Sequence, residues 1–168
     1  MWSYYGSKTT MIDLYPKPKH NLIIEPFAGA AKYSMRYFEN DVLLVDKYEV
    51  IIKIWKWLQQ CSPGDLLKLP RIKTGEKIRD YSLDCEEAYL FMGFIIAAGG
   101  QSPRNTCSPN CERLRPDRID TRLKQHASDL WKIKHWKFKV DDYLNIPNQK
   151  ATWFIDPPYE FGGEVYIE

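Results

Sequence analysis

Short apolar runs bounded by turn residues alternate with amphipathic stretches through the first sixty residues. The run Asn21-Leu22-Ile23-Ile24-Glu25 is apolar up to a closing acid and predicts a short buried strand. Pro26 to Ala30 follows as a tight turn, then a helix is predicted through Tyr33, Met35, Arg36 and Phe38, ending near Asn40. Val42-Leu43-Leu44-Val45 reads as a second buried strand, closed by Asp46. From Glu49 to Gln59, Ile51, Ile54, Trp55 and Leu58 recur on one face of an amphipathic helix. Ahead of these, a short helical pattern through Met11, Ile12 and Leu14 is stopped by Pro16 and Pro18. Strand, helix, strand, helix is the opening of an α/β wound sheet.

The alternation then breaks. Ser62-Pro63-Gly64-Asp65 reads as a loop punctuated by proline and glycine. Asp84 to Ala97 reads as a buried helix capped by Asp84, and Gly99 to Arg115 as a loop. Pro116 suits the first turn of a charged helix running to Lys132. Strands are predicted again at Trp136 to Val140, where apolar and polar residues alternate, and at Ala151 to Ile155. The chain holds no internal repeat and no low-complexity tract.

Composition adds limits. The chain has 168 residues, 44% of them apolar and 27% charged, enough to bury a core and too apolar for wholesale disorder. That length suits one domain, or one domain with a small insertion. The longest apolar stretch, Ala88 to Ala98, is too short to span a bilayer, and no basic-then-apolar leader opens the chain, so a cytoplasmic location is expected. Cys61, Cys85, Cys107 and Cys111 are then expected as reduced thiols. Cys107 and Cys111 lack the second close pair of Cys or His that a zinc site needs, so no metal is expected. The net charge of +2 says little, but residues 101–140 hold ten basic and four acidic side chains, an excess of +6. Such an excess suits either a polyanion or a solvated helix face. Arg104, Arg113, Arg115, Arg118, Arg122 and Lys124 are the candidate phosphate contacts. Six Trp and eleven Tyr leave rings to stack on bases or on a cofactor.

Candidate chemistry falls where a wound sheet places ligands, at the carboxyl ends of its strands. In Glu25-Pro26-Phe27-Ala28-Gly29-Ala30-Ala31, Gly29 and the alanines allow close approach to backbone at a helix start. Asp46, 21 residues after Glu25, is placed either to accept both hydroxyls of a ribose or to cap the next helix. Asp142 with Tyr143 could hold a purine amino group and pack on its ring, or be a turn acid and a core tyrosine. In Asp156-Pro157-Pro158-Tyr159 two prolines fix the backbone and donate no N–H. The turn presents the Asp156 carboxylate and the Pro157 carbonyl as acceptors, with Tyr159 a flat face beside them. That is a clamp for an amino group on a planar base.

Tyr5-Gly6-Ser7-Lys8, the Glu25 to Ala30 turn and Asp156-Pro157-Pro158-Tyr159, in that order, resemble the Dam-type (alpha-group) DNA adenine-N6 methyltransferases, over essentially the whole chain. The resemblance implies a Rossmann-like α/β sheet that binds S-adenosylmethionine, built from residues 1–60 and 136–168, with residues 61–135 as an inserted helical target-recognition region. It implies that Tyr5 and Lys8 lie near the methionine end of the cofactor and that Phe27, Ala28 and Gly29 line its pocket. Asp46 would hold the ribose, Asp142 and Tyr143 the adenine moiety, and Asp156, Pro157, Pro158 and Tyr159 the target base. The partner implied is double-stranded DNA. Ala31 stands where the family's last glycine is usual and crowds the turn, and Ser7 replaces a second glycine. Family members carry three more strands, where nine residues follow Tyr159 here. The sheet is therefore expected to lack its C-terminal strands and to leave the fourth strand at an edge or under a partner.

The chemistry implied is specific. Adenine N6 shares its lone pair with the ring, so acceptors at Asp156 and Pro157 would hold its protons, favour a pyramidal nitrogen and aim it at the sulfonium methyl. Duplex DNA hides that nitrogen, so the base must flip out and stack on Tyr159. A methyltransferase of the same fold acting on RNA or a protein amide, and a non-catalytic DNA- or cofactor-binding remnant, are the alternatives.

Overall fold

In a computed structural model of the chain, which describes residues 2, 12–97, 100–109 and 117–157, the apolar runs pair into one four-stranded sheet. The strands are β1 (Leu22–Glu25), β2 (Asp41–Asp46), β3 (Lys137–Val140) and β4 (Thr152–Trp153). Every pairing is parallel, and the order is β3-β2-β1-β4. The chain therefore steps outward from β1 to β3, then returns to the far side of β1. The expected α/β architecture is present in this coarse form: a parallel sheet with helices, compatible with a Rossmann-like core.

The chain forms two compact units. One comprises residues 6–56 and 132–168 and contains the sheet; the other comprises residues 1–5 and 57–131. In the sheet unit, register places Ile23, Glu25, Val42, Leu44, Phe138 and Phe154 on one face. That face meets α1 (Lys32–Arg36) and the first part of α2 (Glu49–Gln60). Tyr33 of α1 stacks on Phe154 at 4.5 Å, and Trp55 of α2 stacks on Phe138 at 6.2 Å. Burying rings of this size removes enough apolar surface to contribute about 2–3 kcal/mol each, as an upper figure. On β3 the alternation seen in sequence holds, since Lys137 and Lys139 project opposite to Phe138 and stay exposed. Lysines on an edge strand discourage further strand pairing. The Thr152 hydroxyl accepts the amides of Lys19 and His20, tying the approach to β1 onto β4.

The second unit is helical. Its α4 (Glu86–Ala97) is apolar on nearly every side and is correspondingly buried from Phe91 to Ala97. Trp2 packs on it, stacked against Phe94 and edge-on to Phe91. Pro103 lies so close to Gly93 that a Cβ there would come within 2.5 Å of the proline Cβ, so only glycine fits. α5 (Arg118–Asp129) is shorter than the helix predicted to Lys132 and passes into a 3-10 turn over Leu130–Ile133.

Three local expectations need correction. Ser62 to Asp65 is not a loop but the start of α3 (Pro63–Lys68). Ser62 accepts the Asp65 amide, Asp65 accepts the Ser62 amide, and Pro63 occupies the first turn, where its missing N–H costs nothing. α4 begins at Glu86 rather than at Asp84. The basic excess over residues 101–140 divides between the two units, since Lys132, Lys134, Lys137 and Lys139 belong to the sheet unit and leave six basic against four acidic residues on 101–131.

Ala31 adopts φ 45° and ψ 48°, the left-handed conformation that disfavours a Cβ. This is the physical content of the crowding expected where the family pattern has glycine. Ala31→Gly is expected to stabilise the chain by roughly 0.5–1 kcal/mol, the relief of strain less the added freedom of the unfolded chain. A higher urea midpoint would show it, and a lower one would contradict the left-handed assignment.

Candidate functional site

Because all four strands run parallel, their carboxyl ends lie along one edge of the sheet. The order reverses between β1 and β4, which makes their carboxyl ends the switch point where wound sheets open a crevice. Glu25 ends β1 there, and Asp156 follows β4. Asp46 ends β2, and Asp142 and Tyr143 follow β3.

The turn after β1 is held at several points. The amide of Ala28 donates to the Val45 carbonyl at 3.0 Å, and that of Gly29 to Asp46 Oδ2 at 3.0 Å. The Gly29 carbonyl accepts Trp55 Nε1 at 3.0 Å, and Gly29 itself has φ 43°. Asp46 Oδ1 takes the Tyr48 amide at 2.9 Å, so this carboxylate joins the glycine turn to the start of α2. Asp46 accepts the amide just ahead of α2 and none within it, and each oxygen keeps lone-pair capacity for a ligand hydroxyl. Burial holds its carboxyl above the ordinary range, opposed by the Gly29 and Tyr48 amides.

Asp142 behaves as a turn acid, its Oδ1 accepting the Leu144 amide at 3.0 Å at the head of a 3-10 turn over Tyr143–Asn145. Its other oxygen lies 4.0 Å from Lys47 Nζ. Tyr143 is not a core tyrosine. It is half exposed, and its ring lies 5.2 Å from that of Phe27. Phe27, Gly29, Asp46, Asp142 and Tyr143 are thus brought to one stretch of the sheet edge.

Glu25 is the residue sequence reasoning passed over. It is 2% exposed, and its carboxylate accepts the Ser34 amide at 2.7 Å, three residues into α1. Ala31, at the cap position, has no side chain to do this. Burial pushes the Glu25 carboxyl up to about 7, opposed by hydrogen bonding from Ser34, and the charge of Asp156 adds to the rise. The available signal was an acid closing an apolar run and followed by proline. Trp55 gave no signal of its own, being one more apolar position on an amphipathic face.

Tyr5, Lys8, Pro158 and Tyr159, with Arg113 and Arg115, lie outside the described residues. Arg118, Arg122 and Lys124 sit on α5 in the helical unit. Lys124 pairs with Asp120 at 2.6 Å, Asp120 also pairs with Arg71 at 2.6 Å, and Arg122 reaches the Ile95 carbonyl at 3.4 Å. Much of this basic face is therefore engaged within the unit. Arg104 is exposed on a loop of the same unit.

Among the described residues no cluster of three or more His, Cys, Asp or Glu could hold a metal ion, and no helix is long and apolar enough to cross a membrane. A scan of protein-family models finds none that matches this chain, and a search of curated proteins finds no relative.

Proposed function

We propose that the chain is an S-adenosylmethionine-dependent DNA adenine-N6 methyltransferase, with the sheet unit as its catalytic part and the helical unit as its target-recognition part. One observation carries the reading: a glycine turn, a strand-end carboxylate and an aromatic pair lie along the same carboxyl edge of one parallel sheet as Asp156 and Pro157, which follow the strand across the reversal of order. These residues suit the cofactor. The turn offers small residues and backbone, Asp46 has acceptor capacity beside it, and Phe27 with Tyr143 offers ring faces. The bound cofactor would supply an electrophilic sulfonium methyl group.

The chain's own part is positioning. Asp156 and the Pro157 carbonyl hold the N–H groups of the target base, and the prolines keep those acceptors from collapsing onto the backbone. Asp46 orients the ribose through its remaining lone pairs. The turn from Phe27 to Gly29 is already held before any ligand arrives, so little ordering is left to oppose binding.

Asp46→Ala is expected to weaken S-adenosylmethionine binding more than tenfold in calorimetry, since it strands two ribose hydroxyls at about 1–3 kcal/mol. The same change leaves the Gly29 and Tyr48 amides without acceptors, so thermal stability should fall too. Unchanged affinity would remove the ribose assignment. No cofactor binding by the unaltered chain would remove the methyltransferase reading. Binding without methyl transfer to duplex DNA would favour a non-catalytic chain.

A further inference from the structure

Two loops of the helical unit, far apart in sequence, are laced into a short antiparallel ribbon. Cys107 N–H donates to the Glu76 carbonyl at 2.9 Å, Ile78 N–H to the Asn105 carbonyl at 2.7 Å, and Gly75 N–H to the Cys107 carbonyl at 3.1 Å. Lys77 and Thr106 form the bridge between them. The bonds flank this pair rather than join it, which is the close, non-hydrogen-bonded type of antiparallel pair.

Ile78 and Cys107 are buried. Lys77 and Arg79 on one loop, and Arg104 and Thr106 on the other, are all exposed. Past Lys77 the chain enters a 3-10 turn over Ile78–Asp80, whose Arg79 amide donates to Asn105 Oδ1 at 3.2 Å, so three cations and a hydroxyl gather around this one bridge. Glu86 forks onto Arg79 at 2.6 and 2.9 Å, while Tyr89 packs beneath the guanidinium at 4.2 Å. Among the described residues no acidic side chain pairs with Lys77 or Arg104. Arg79 is thus fixed in place as a rigid cation, flanked by two others.

We infer that this face binds the sugar-phosphate backbone of duplex DNA, with Lys77 and Arg104 each contacting a phosphate, Arg79 adding a held charge and Thr106 a hydroxyl donor. The inference rests on the DNA reading above and adds a contact surface to it. The occupant follows from chemistry: flexible cations beside a fixed guanidinium match an anion repeated along a backbone. The loop around Lys73 to Arg79 lies outside the charge window that singled out residues 101–140, so it was not a sequence candidate.

Fluorescence anisotropy on a labelled duplex of about 20 base pairs, titrated with sodium chloride, tests it. Lys77→Gln with Arg104→Gln, in the full chain, should lower the slope of log affinity against log salt by about 2. A fourfold rise in salt then costs the variant about tenfold less affinity than it costs the unaltered protein. Both substitutions are on exposed side chains, and an unchanged melting curve checks folding. Unaltered protein that binds the duplex while the double variant keeps its slope would overturn this inference alone. Unaltered protein that fails to bind DNA would overturn the DNA reading as well, and cofactor calorimetry tests the sheet unit separately. Slope loss confined to an RNA hairpin, bound more tightly than the duplex, would overturn the duplex assignment.

Discussion

With Asp156 replaced by alanine, methyl transfer to adenine N6 is expected to fall by on the order of 10²–10³ while the fold is kept. The placement of the residue explains why the two effects separate. Asp156 follows β4 at the reversal of strand order, is only partly buried, and lies past the last ladder contact, the Phe154 amide on the Ile24 carbonyl. Its carboxylate therefore supports the site more than the sheet. On the proposed reading, losing it would remove one fixed acceptor from the base amino group at the point where that nitrogen must become pyramidal. A preplaced acceptor is worth more than one that water supplies, because it costs no reorganisation during the step. Single-turnover transfer of labelled methyl groups to duplex DNA measures the loss. Transfer at the unaltered rate would end the adenine-methyltransferase reading. Cofactor affinity should change far less than rate, which separates this residue from Asp46.

Glu25→Gln is expected to stabilise the chain by about 3 kcal/mol at pH 8 and to change nothing at pH 4. Glu25 is pushed from an ordinary value of 4.5 up to about 7 by burial. The folded protein therefore holds this proton more tightly than the unfolded chain does. The stabilisation from the protonated acid is complete below pH 4.5, shrinks as pH rises, and is gone once pH passes about 7. Above that pH the protein folds around a buried carboxylate with Asp156 nearby, at a cost set by the shift. Glutamine cannot ionise, and its carbonyl oxygen still accepts the Ser34 amide. Urea unfolding at several pH values should show the unaltered protein losing stability between pH 4.5 and 7 relative to the variant. Parallel curves would mean that Glu25 titrates normally and is not enclosed as described.

The strands were legible because their signal is local. Leu22 to Ile24 and Val42 to Val45 are apolar without interruption, and an acid closes each run. Lys137, Phe138 and Lys139 announced a strand by alternation. Asp46 was legible as the carboxylate closing β2 for the same reason, although its dual use, by Gly29 and Tyr48, was not. The start of α3 was misread because serine, proline, glycine and aspartate all form both turns and helix caps, and only the reciprocal bonds of Ser62 and Asp65 decide between them. Glu25 was missed because its burial depends on Ser34 and on a strand more than a hundred residues away. The ribbon of Lys77 and Thr106 joins positions 29 residues apart, and no window of local charge joins them. What stayed hidden was in each case a pairing rather than a composition.

The sheet unit is interrupted in sequence by the whole of residues 57–131. This has a consequence for the order in which the chain becomes structured during synthesis. β1 and β2 leave the ribosome first, but two short parallel strands with their crossover bury too little to persist. They wait for β3, which pairs with β2 and begins 91 residues after β2 ends. Closing so long an unstructured loop opposes that pairing by roughly 4 kcal/mol of chain entropy. The intervening unit, rich in local helical contacts, can form while the strands wait, and its collapse shortens the loop that remains to be closed. The second unit then serves the sheet as an early-forming clasp, and a lesion in α4 or in its Gly93–Pro103 contact would delay the sheet without touching a strand.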